Sequence, residues 1–314
     1  MSHTNNSVVS PRRTKKRRLN SVSIPTEIVI YIVLGLFCLA CVLPFLFVII
    51  ISFTSEDSIR QIGFSFIPAE WSLEAYKYVI DLGDQLWRSY FNSFFVTLLG
   101  TFLSVLICIL YSYALFRPDF KYRKFFTFFC FFTMMFGGGL APTYMVCKNM
   151  LHLSDNYAAM IVPMLLNPFN IIIMRTFFQS SVPESLIEAA AIDGSGEYNT
   201  LFKIIIPIAK PGIATIALLN ALAYWNEWFI PMLYVRDANH IPLQYLLMKM
   251  QNQVDFLVKN SSMIGAEAAN IMSDLPKDSL RMALVVLIVV PIACAYPFFQ
   301  RFIISGLTVG SVKG

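Results

Sequence analysis

Six long stretches with almost no charge recur along the sequence, and they restrict the possible folds more than any other feature. Each is long enough to cross about 30 Å of hydrocarbon as a helix. A bilayer offers no water to the backbone, so a spanning segment must satisfy its own hydrogen bonds. The stretches are Ile28–Ser55, Ser89–Phe116, Phe125–Cys147, Asn156–Met174, Pro211–Val235 and Met282–Gln300. The sequence therefore predicts an all-α membrane protein with six transmembrane helices.

The composition agrees with this prediction. Of the 314 residues, 57% are hydrophobic and only 14% are charged, whereas soluble domains carry about 25% charged residues. The net charge of +5 does not indicate nucleic-acid binding, because the basic residues cluster at one end and at the ends of the stretches. We expect one integral membrane domain surrounded by lipid.

Basic residues also predict the orientation of the chain. The run Arg12-Arg13-Thr14-Lys15-Lys16-Arg17-Arg18 precedes the first apolar stretch. Such a run more often holds that end in the cytoplasm than binds nucleic acid or begins a cleaved signal peptide. With this end inside, the inner segments carry six, four, three and two lysines and arginines in chain order, which leaves nine of the 24 outside. Both termini are therefore predicted to be cytoplasmic.

These boundaries divide the chain into a basic tail (residues 1–26), a six-helix transmembrane domain (residues 27–303) and a C-terminal tail (residues 304–314). Two longer loops fall on the outer side. The segment Pro68–Tyr76 predicts an extended piece followed by a short helix. The segment Pro242–Met248 predicts an amphipathic helix on the membrane surface or over the entrance to a pathway.

A charged segment broken by turn residues, at about residues 181–210, lies between two of the stretches on the inner side. Ser181 is placed to cap a helix, with Pro183 in its first turn and Glu184 reaching back to the cap. The run Asp193–Gly196 should end this helix, and a second short helix should follow from about Tyr198 to Pro207. The alternative is an ordinary solvated loop that merely links two spans.

The spacing within this segment is distinctive. Glu188-Ala189-Ala190 is followed by three residues, Gly194, nine residues and Ile204-Ile205-Ile206-Pro207. It resembles the EAA loop of importer-type ABC transporter permeases, with Ile206 in place of the usual leucine. The resemblance implies the type I ABC importer fold and a cytoplasmic coupling helix that sits in a cleft of a partner ATPase. The residues that it would place at this contact are Glu188, Ala189, Ala190, Asp193 and Gly194. The C-terminal residues Val312, Lys313 and Gly314 resemble the family's tail, which reaches between the ATPase subunits.

Further resemblance covers nearly the whole chain from residue 27 onward. The segment Phe136–Tyr144 resembles the (S)GGLIPTY sequence of one carbohydrate-permease subgroup, and Pro168–Phe178 and Tyr296–Arg301 match the same subgroup. This points to the carbohydrate-uptake class related to the maltose permease, and to its oligosaccharide branch. The three glycines and the proline near residue 138 also predict that the third span is not a regular helix. A kink or a close helix contact is the competing interpretation.

No sequence motif for catalysis is present. The chain has no phosphate-binding Gly-x4-Gly-Lys-Ser/Thr sequence, and His3, His152 and His240 are scattered. Cys38-x-x-Cys41 has metal or redox spacing, but it lies within an apolar stretch, where packing is the better interpretation. The chain is expected to be neither an enzyme nor the holder of a cofactor, because the resemblance places ATP and Mg²⁺ in the partner ATPase.

Two classes of function remain. The resemblance implies a subunit that moves a sugar across the bacterial plasma membrane by alternating access. It further implies a second, homologous permease, a cytoplasmic ATPase dimer and an extracellular sugar-binding lipoprotein. The alternative is a membrane-embedded enzyme or assembly protein that acts on lipid-linked sugars. Such an enzyme would need convergent acidic or metal-binding groups, and only Glu227 is charged deep within a span.

The fifth stretch contains the candidate substrate pathway. On a helix that turns about 100° per residue, Asn220, Tyr224, Glu227 and Trp228 form one stripe. A carboxylate in a span is costly unless it faces the bundle interior or water, and aromatic, amide and carboxylate groups suit a sugar. The alternatives are packing against neighbouring helices and, for the two aromatic residues, the outer interfacial belt.

The predicted topology can be tested with single cysteines at Asn5, Ser195 and Ser261 in a cysteine-free background. A membrane-impermeant thiol reagent applied from outside should label only the cysteine at position 261. Labelling at position 195 from outside would overturn the orientation.

Overall fold

The computed structural model describes residues 23–259 and 276–310, and within these ranges the regular secondary structure is helical. In chain order the α-helices are α1 (Ile24–Ser52), α2 (Glu56–Ile62), α3 (Glu74–Ile80), α4 (Asp84–Phe116), α5 (Arg123–Met135), α6 (Leu140–Met145), α7 (Tyr157–Ile161), α8 (Pro168–Ser181), α9 (Glu184–Ile192), α10 (Glu197–Asn199), α11 (Ile206–Ile208), α12 (Lys210–Trp225), α13 (Phe229–Tyr234), α14 (Leu243–Lys259) and α15 (Lys277–Gly310). Short π-helical turns (Val146–Met150 and Thr200–Ile205) and 3₁₀ turns (Val162–Met164 and Ala238–His240) complete the helical elements.

The chain forms two compact units, residues 1–47 and 48–314. In the first unit the structure describes residues 23–47, most of which belong to α1. The side chains described there are exposed as far along the chain as Leu46. Tyr31 OH donates a hydrogen bond of 3.3 Å to Glu27 on this helix. The second unit contains the remaining helices.

Within the described residues, three helices are long and apolar enough to cross a membrane, namely α1, α4 and α15. Three further candidates are bent pairs of helices. The chain bends by 113° between α5 and the segment that begins with α6, and by 53° between the segment Tyr157–Met164, which contains α7, and α8. It bends by 83° between the segment Glu197–Ile208, which contains α10 and α11, and α12. Counting each bent pair as one span gives up to six, the number that the sequence predicts. The third pair includes α10 and α11, which the sequence assigns to the inner segment, so only α12 of this pair corresponds to the fifth apolar stretch.

The break in the third span is confirmed. The helix α5 ends at Met135, and α6 begins at Leu140 after the glycine segment. Gly139 has a φ of +80°, a conformation that glycine adopts without the steric cost of a Cβ atom. The glycines therefore end one helix and redirect the chain into the next.

The fifth span differs from its prediction, because the apolar run Pro211–Val235 is not one helix. The helix α12 ends at Trp225, and α13 begins at Phe229. Glu227 lies in the break, and its Oε1 accepts hydrogen bonds from the backbone N–H groups of Phe229 (2.8 Å) and Ile230 (2.9 Å). The carboxylate thus satisfies N–H groups that have no partner within the new helix. The predicted continuous stripe through Glu227 and Trp228 is wrong for this reason.

The helix α4 lies at the centre of the second unit, and its packing depends on small side chains. Small residues recur along one face, and all of them are buried. They are Ser89, Ser93, Gly100, Ser104, Cys108 and Ser112. Small residues let helix backbones approach closely, and hydroxyls can form hydrogen bonds across the interface. Ser112 Oγ does so by donating to the Ile171 carbonyl of α8 at 2.9 Å.

Tyr224 of α12 lies against this face. A Cβ atom added at Gly100 would come within 2.7–2.9 Å of three carbons of the Tyr224 ring. The phenol OH donates to the Ile161 carbonyl at 3.1 Å and shares a hydrogen bond of 3.0 Å with Ser104 Oγ. The aromatic ring therefore fills the space that the glycine leaves open, and its hydroxyl is satisfied inside the protein.

Both predicted outer helices are present as α3 and α14. The apolar face of α14 is covered by the protein. One apolar cluster buries Leu243 and Leu247 of α14 together with Leu280 of α15. The preceding loop is fixed by Asp155, whose carboxylate accepts hydrogen bonds from the backbone N–H groups of Arg236 and Asp237. These two bonds lower the pKa of Asp155 below its ordinary value.

We expect Gly100→Ala to destabilise the protein, because the new methyl group would clash with the ring of Tyr224. Overpacking of this kind costs about 1–3 kcal/mol, which a thermal-unfolding measurement on the purified protein would detect. Gly35→Ala is the matched control, since no atom lies within 4 Å of a Cβ added on that exposed part of α1. Equal melting temperatures for the two variants would contradict the close approach.

Candidate functional site

The candidate coupling segment begins differently from the sequence prediction. Ser181 is the last residue of α8, and α9 begins at Glu184 with Pro183 at the cap position and no side-chain cap. A residue that precedes proline is pushed out of the helical region, and Val182 is accordingly extended, with φ −107° and ψ 111°. The predicted capping by Ser181 is therefore wrong, because the proline ends α8 before it starts α9.

The end of α9 has the geometry that the sequence predicts. Gly194 has a φ of +75°. Its N–H donates to the Ala191 carbonyl at 3.0 Å, and the N–H of Ser195 donates to the Ala190 carbonyl at 2.9 Å. This pair of bonds is a Schellman motif, which requires the left-handed conformation at its glycine. No atom lies within 4 Å of a Cβ added at Gly194, so the demand for glycine comes from the backbone conformation alone.

The helix α9 presents one face to solvent and one to the protein. Glu188, Ala189, Asp193 and Gly194 are exposed. Ala190 is buried, 6% exposed, so it supports the helix from within and does not share the exposed face of the other four. The sequence predicts that all five residues contact the ATPase. Of these five, another protein could reach only the four exposed ones directly.

Two exposed apolar residues beside this face were not selected from the sequence. Ile192 is 86% exposed and Tyr198 is 78% exposed. Large apolar side chains are common at the centre of protein interfaces, where charged residues are depleted. The EAA pattern does not specify the residue type at either position. Only their closeness in sequence to the turn at Gly194 could have indicated them.

The second helical piece is held to the end of α4 by an ion pair. Arg117 Nη2 donates to Glu197 Oε1 at 2.8 Å, and Tyr113 OH donates to Glu197 Oε2. The side chain of Arg117 is only 15% exposed, whereas that of Asp119, its second partner at 3.3 Å, is 82% exposed. The pair joins residues that are 80 positions apart in the chain, and it fixes the start of α10 to the central helix.

The four predicted pathway residues do not form one site. Asn220 is buried and accepts a hydrogen bond of 3.2 Å from Asn170. Tyr224 is buried against Gly100, and Glu227 caps α13. Tyr224 and Glu227 border one small cavity, whose lining includes neither Asn220 nor Trp228. The structure thus brings two of the four together, and their pathway role stays a prediction.

Some predictions concern residues that the structure does not describe. The basic run in residues 12–18, the labelling site Ser261 and the tail Val312–Gly314 lie outside the described residues. Within residues 23–259 and 276–310, no three His, Cys, Asp or Glu side chains are grouped as metal ligands would be. Cys38 and Cys41 are both free and exposed.

Named bacterial transport proteins are similar to this chain over most of its length. The polygalacturonan/rhamnogalacturonan transport system permease protein YtcP of Bacillus subtilis is 38% identical over 288 residues, which cover 92% of this chain and 98% of YtcP. The arabinooligosaccharides transport system permease protein AraQ of Halalkalibacterium halodurans is 30% identical over 281 residues, which cover 87% of this chain and 91% of AraQ. The chain belongs to the sugar ABC transporter permeases.

A solved structure supports the same assignment for this sugar ABC transporter permease. One chain of a bacterial ABC transporter involved in the import of the acidic polysaccharide alginate has a TM-score of 0.74 and 30% sequence identity. The match covers 93% of this chain and 99% of that chain. No protein-family model matches the sequence. The prediction of an all-α membrane protein with the ABC importer permease fold is confirmed.

A double-mutant cycle would measure the Arg117–Glu197 pair in this permease. We expect Arg117→Gln and Glu197→Gln each to lower stability, and the double variant to lose less than the sum, with a coupling of about 0.5–1 kcal/mol. Asp119→Asn is the matched control, because its exposed carboxylate should contribute little. Additive losses in melting temperature would contradict the pairing.

Proposed function

We propose that this permease is one of two membrane subunits through which a bacterial importer moves an oligosaccharide into the cell, driven by ATP hydrolysis in partner subunits. The observation that carries the proposal is the helix–turn–helix at α9 and α10. It combines the EAA spacing, the left-handed glycine turn at Gly194 and an exposed face that contains Glu188 and Asp193.

In this proposal the exposed face of α9, with Ile192 and Tyr198 beside it, contacts the ATPase. ATP and Mg²⁺ are bound by that partner, and this chain contributes no catalytic residue. Closure of the ATPase dimer on ATP moves α9 and α10. The Arg117–Glu197 pair then transmits this movement to α4, and alternating access follows as α4 and the helices packed on it change position. The EAA spacing predicts the contact between α9 and the ATPase, and the contacts of Glu197 offer a physical route from there to α4.

The other expected partners follow from the family. A second, homologous permease would complete the pathway, and an extracellular sugar-binding lipoprotein would deliver the substrate. Orientation with both termini in the cytoplasm rests on the distribution of lysine and arginine. The names of YtcP and AraQ both refer to sugar polymers or oligosaccharides, which supports an oligosaccharide as the substrate. They also favour transport over an enzyme that acts on lipid-linked sugars.

The turn at Gly194 offers the sharpest test of coupling. We expect Gly194→Val to leave the complex in the membrane but to lower sugar-stimulated ATP hydrolysis and sugar uptake in proteoliposomes by about tenfold. The physical reason is that a side chain at positive φ costs about 1–2 kcal/mol, and about 1.4 kcal/mol is a factor of ten. Glu188→Lys should have the same effect by reversing a charge on the exposed face.

Gly196→Thr is the matched control, because threonine has the size of valine but is tolerated as well as glycine at the N-cap of α10. Gly196 also has a φ of −70° and open space around it. This variant should transport like the unchanged protein. Normal sugar-stimulated ATP hydrolysis in both Gly194→Val and Glu188→Lys would sink the proposed coupling role.

A further inference from the structure

A basic groove lies beside the junction of α4 and α5. Its volume is about 920 Å³. It is lined by the loop after α4, one side of α5 and one residue of α8. The lining residues are Pro118, Phe120, Lys121, Arg123, Lys124, Thr127, Phe128, Phe131 and Arg175. We refer to this feature as the basic groove.

The basic groove has an excess of positive charge that the described protein does not neutralise. Four of its lining residues are cationic, and none is acidic. The one acidic residue of the adjoining loop, Asp119, is paired with Arg117 instead. Across residues 23–259 and 276–310, no carboxylate lies within 4 Å of a charged nitrogen of Lys121, Arg123, Lys124 or Arg175.

Arg175 supplies a second, independent observation. Its Nε is buried and has no hydrogen-bond partner among the described residues. Leaving a buried donor without an acceptor is unfavourable, so an acceptor brought by another molecule would be favoured. Arg175 lies on α8 and the other cations lie on α5 and its preceding loop, so one anion between them would join the two elements.

The basic groove also changes in character along its length. The cations cluster near the start of α5 at Arg123, whereas Phe128 and Phe131 line the part farther along the helix. Eight residues of α-helix separate Arg123 from Phe131, which corresponds to about 12 Å. Since α5 belongs to a candidate membrane span, the charged end lies toward the membrane surface and the aromatic end toward the hydrocarbon. A molecule that is anionic at one end and apolar at the other fits this arrangement.

We propose that the basic groove binds an anionic phospholipid, with the headgroup phosphate between Arg175, Arg123 and Lys124 and an acyl chain along Phe128 and Phe131. Arginine presents a planar fork of donors that matches phosphate oxygens. Basic pockets between membrane helices on the cytoplasmic side bind anionic headgroups in the same way. A free phosphate would satisfy the cations but would leave the aromatic end of the groove empty.

Bound lipid would act close to the coupling segment. Arg117, which ends α4 and holds Glu197, is adjacent in sequence to Pro118 of the groove. Filling the groove would fix α5 against α8, and α8 leads directly into α9. The lipid is thus expected to stabilise the part of the permease that supports the coupling helix, although its binding does not depend on the proposed function.

The test uses the complete transporter complex, purified in a non-ionic detergent and depleted of lipid. Its melting temperature is followed while dioleoyl phosphatidylglycerol, dioleoyl phosphatidylcholine or sodium phosphate is added. We expect phosphatidylglycerol to raise the melting temperature at concentrations where the other two have no effect. Equal stabilisation by phosphatidylcholine would mean that only the acyl chains bind, and equal stabilisation by sodium phosphate would mean a free-anion site; either result overturns the proposal.

Variants then locate the effect. Arg175→Gln and Lys124→Gln should each weaken the apparent affinity for phosphatidylglycerol by about fivefold, since a basic residue near an anionic lipid surface contributes about 1 kcal/mol. Arg175→Lys should restore only part of it, because a point charge still attracts the phosphate but lacks the planar fork of donors. Lys210→Gln is the matched control, an exposed lysine outside the groove.

Stability without lipid separates binding from folding. Arg175→Gln should then be at least as stable as the unchanged protein, because it removes an unpaired cation from the groove. If Arg175→Gln fails to fold, Lys124→Gln alone decides the question, since Lys124 is exposed. Unchanged affinity for phosphatidylglycerol in Lys124→Gln would contradict the proposal.

Discussion

Close packing of α12 and α8 on α4 holds the membrane domain together. The small residues of α4 leave room for the Tyr224 ring at Gly100 and for hydrogen bonds at Ser104 and Ser112. Apolar lipid gives helices little reason to associate, so shape and polar contacts must hold them together. A larger side chain on this face of α4 would separate the helices that frame the membrane domain.

The same helix connects the membrane domain to the candidate coupling segment. Tyr113 and Arg117, at one end of α4, both bind Glu197 at the start of α10. The buried face of α9 adds a second connection, because Ile187 belongs to the same apolar cluster as Phe116 of α4. A force applied to the exposed face of α9 therefore reaches the central helix through an ion pair and an apolar contact.

Sequence periodicity and turn chemistry predicted several parts of the fold that depend on local interactions, although the cap predicted at Ser181 was wrong because Ser181 ends α8. Three features could be predicted from the sequence because each depends on neighbouring residues. They are the six apolar stretches, the break at the glycines before Leu140 and the left-handed turn at Gly194. The end of α12 at Trp225 was missed, since an apolar run of 25 residues with one carboxylate gives no sign that Glu227 serves as a cap.

Contacts between distant residues could not be predicted in the same way. Nothing in the sequence pairs Arg117 with Glu197 or brings Arg175 beside Arg123, because helix packing decides both. Ala190 illustrates the same limit at the coupling segment. The EAA spacing selects it together with Glu188 and Ala189, but only the packing of α9 reveals that Ala190 faces inward.

The proposed contact between an ATPase and the exposed side of α9 and α10 can be tested by site-specific photocrosslinking. A photoreactive amino acid replaces Ile192, which is 86% exposed, in the complete transporter. The control replaces Ile80, which is 62% exposed and lies on the predicted outer side. We expect a crosslink from position 192 to the ATPase subunit and none from position 80. An ATPase crosslink from position 80, or none from position 192, would contradict it.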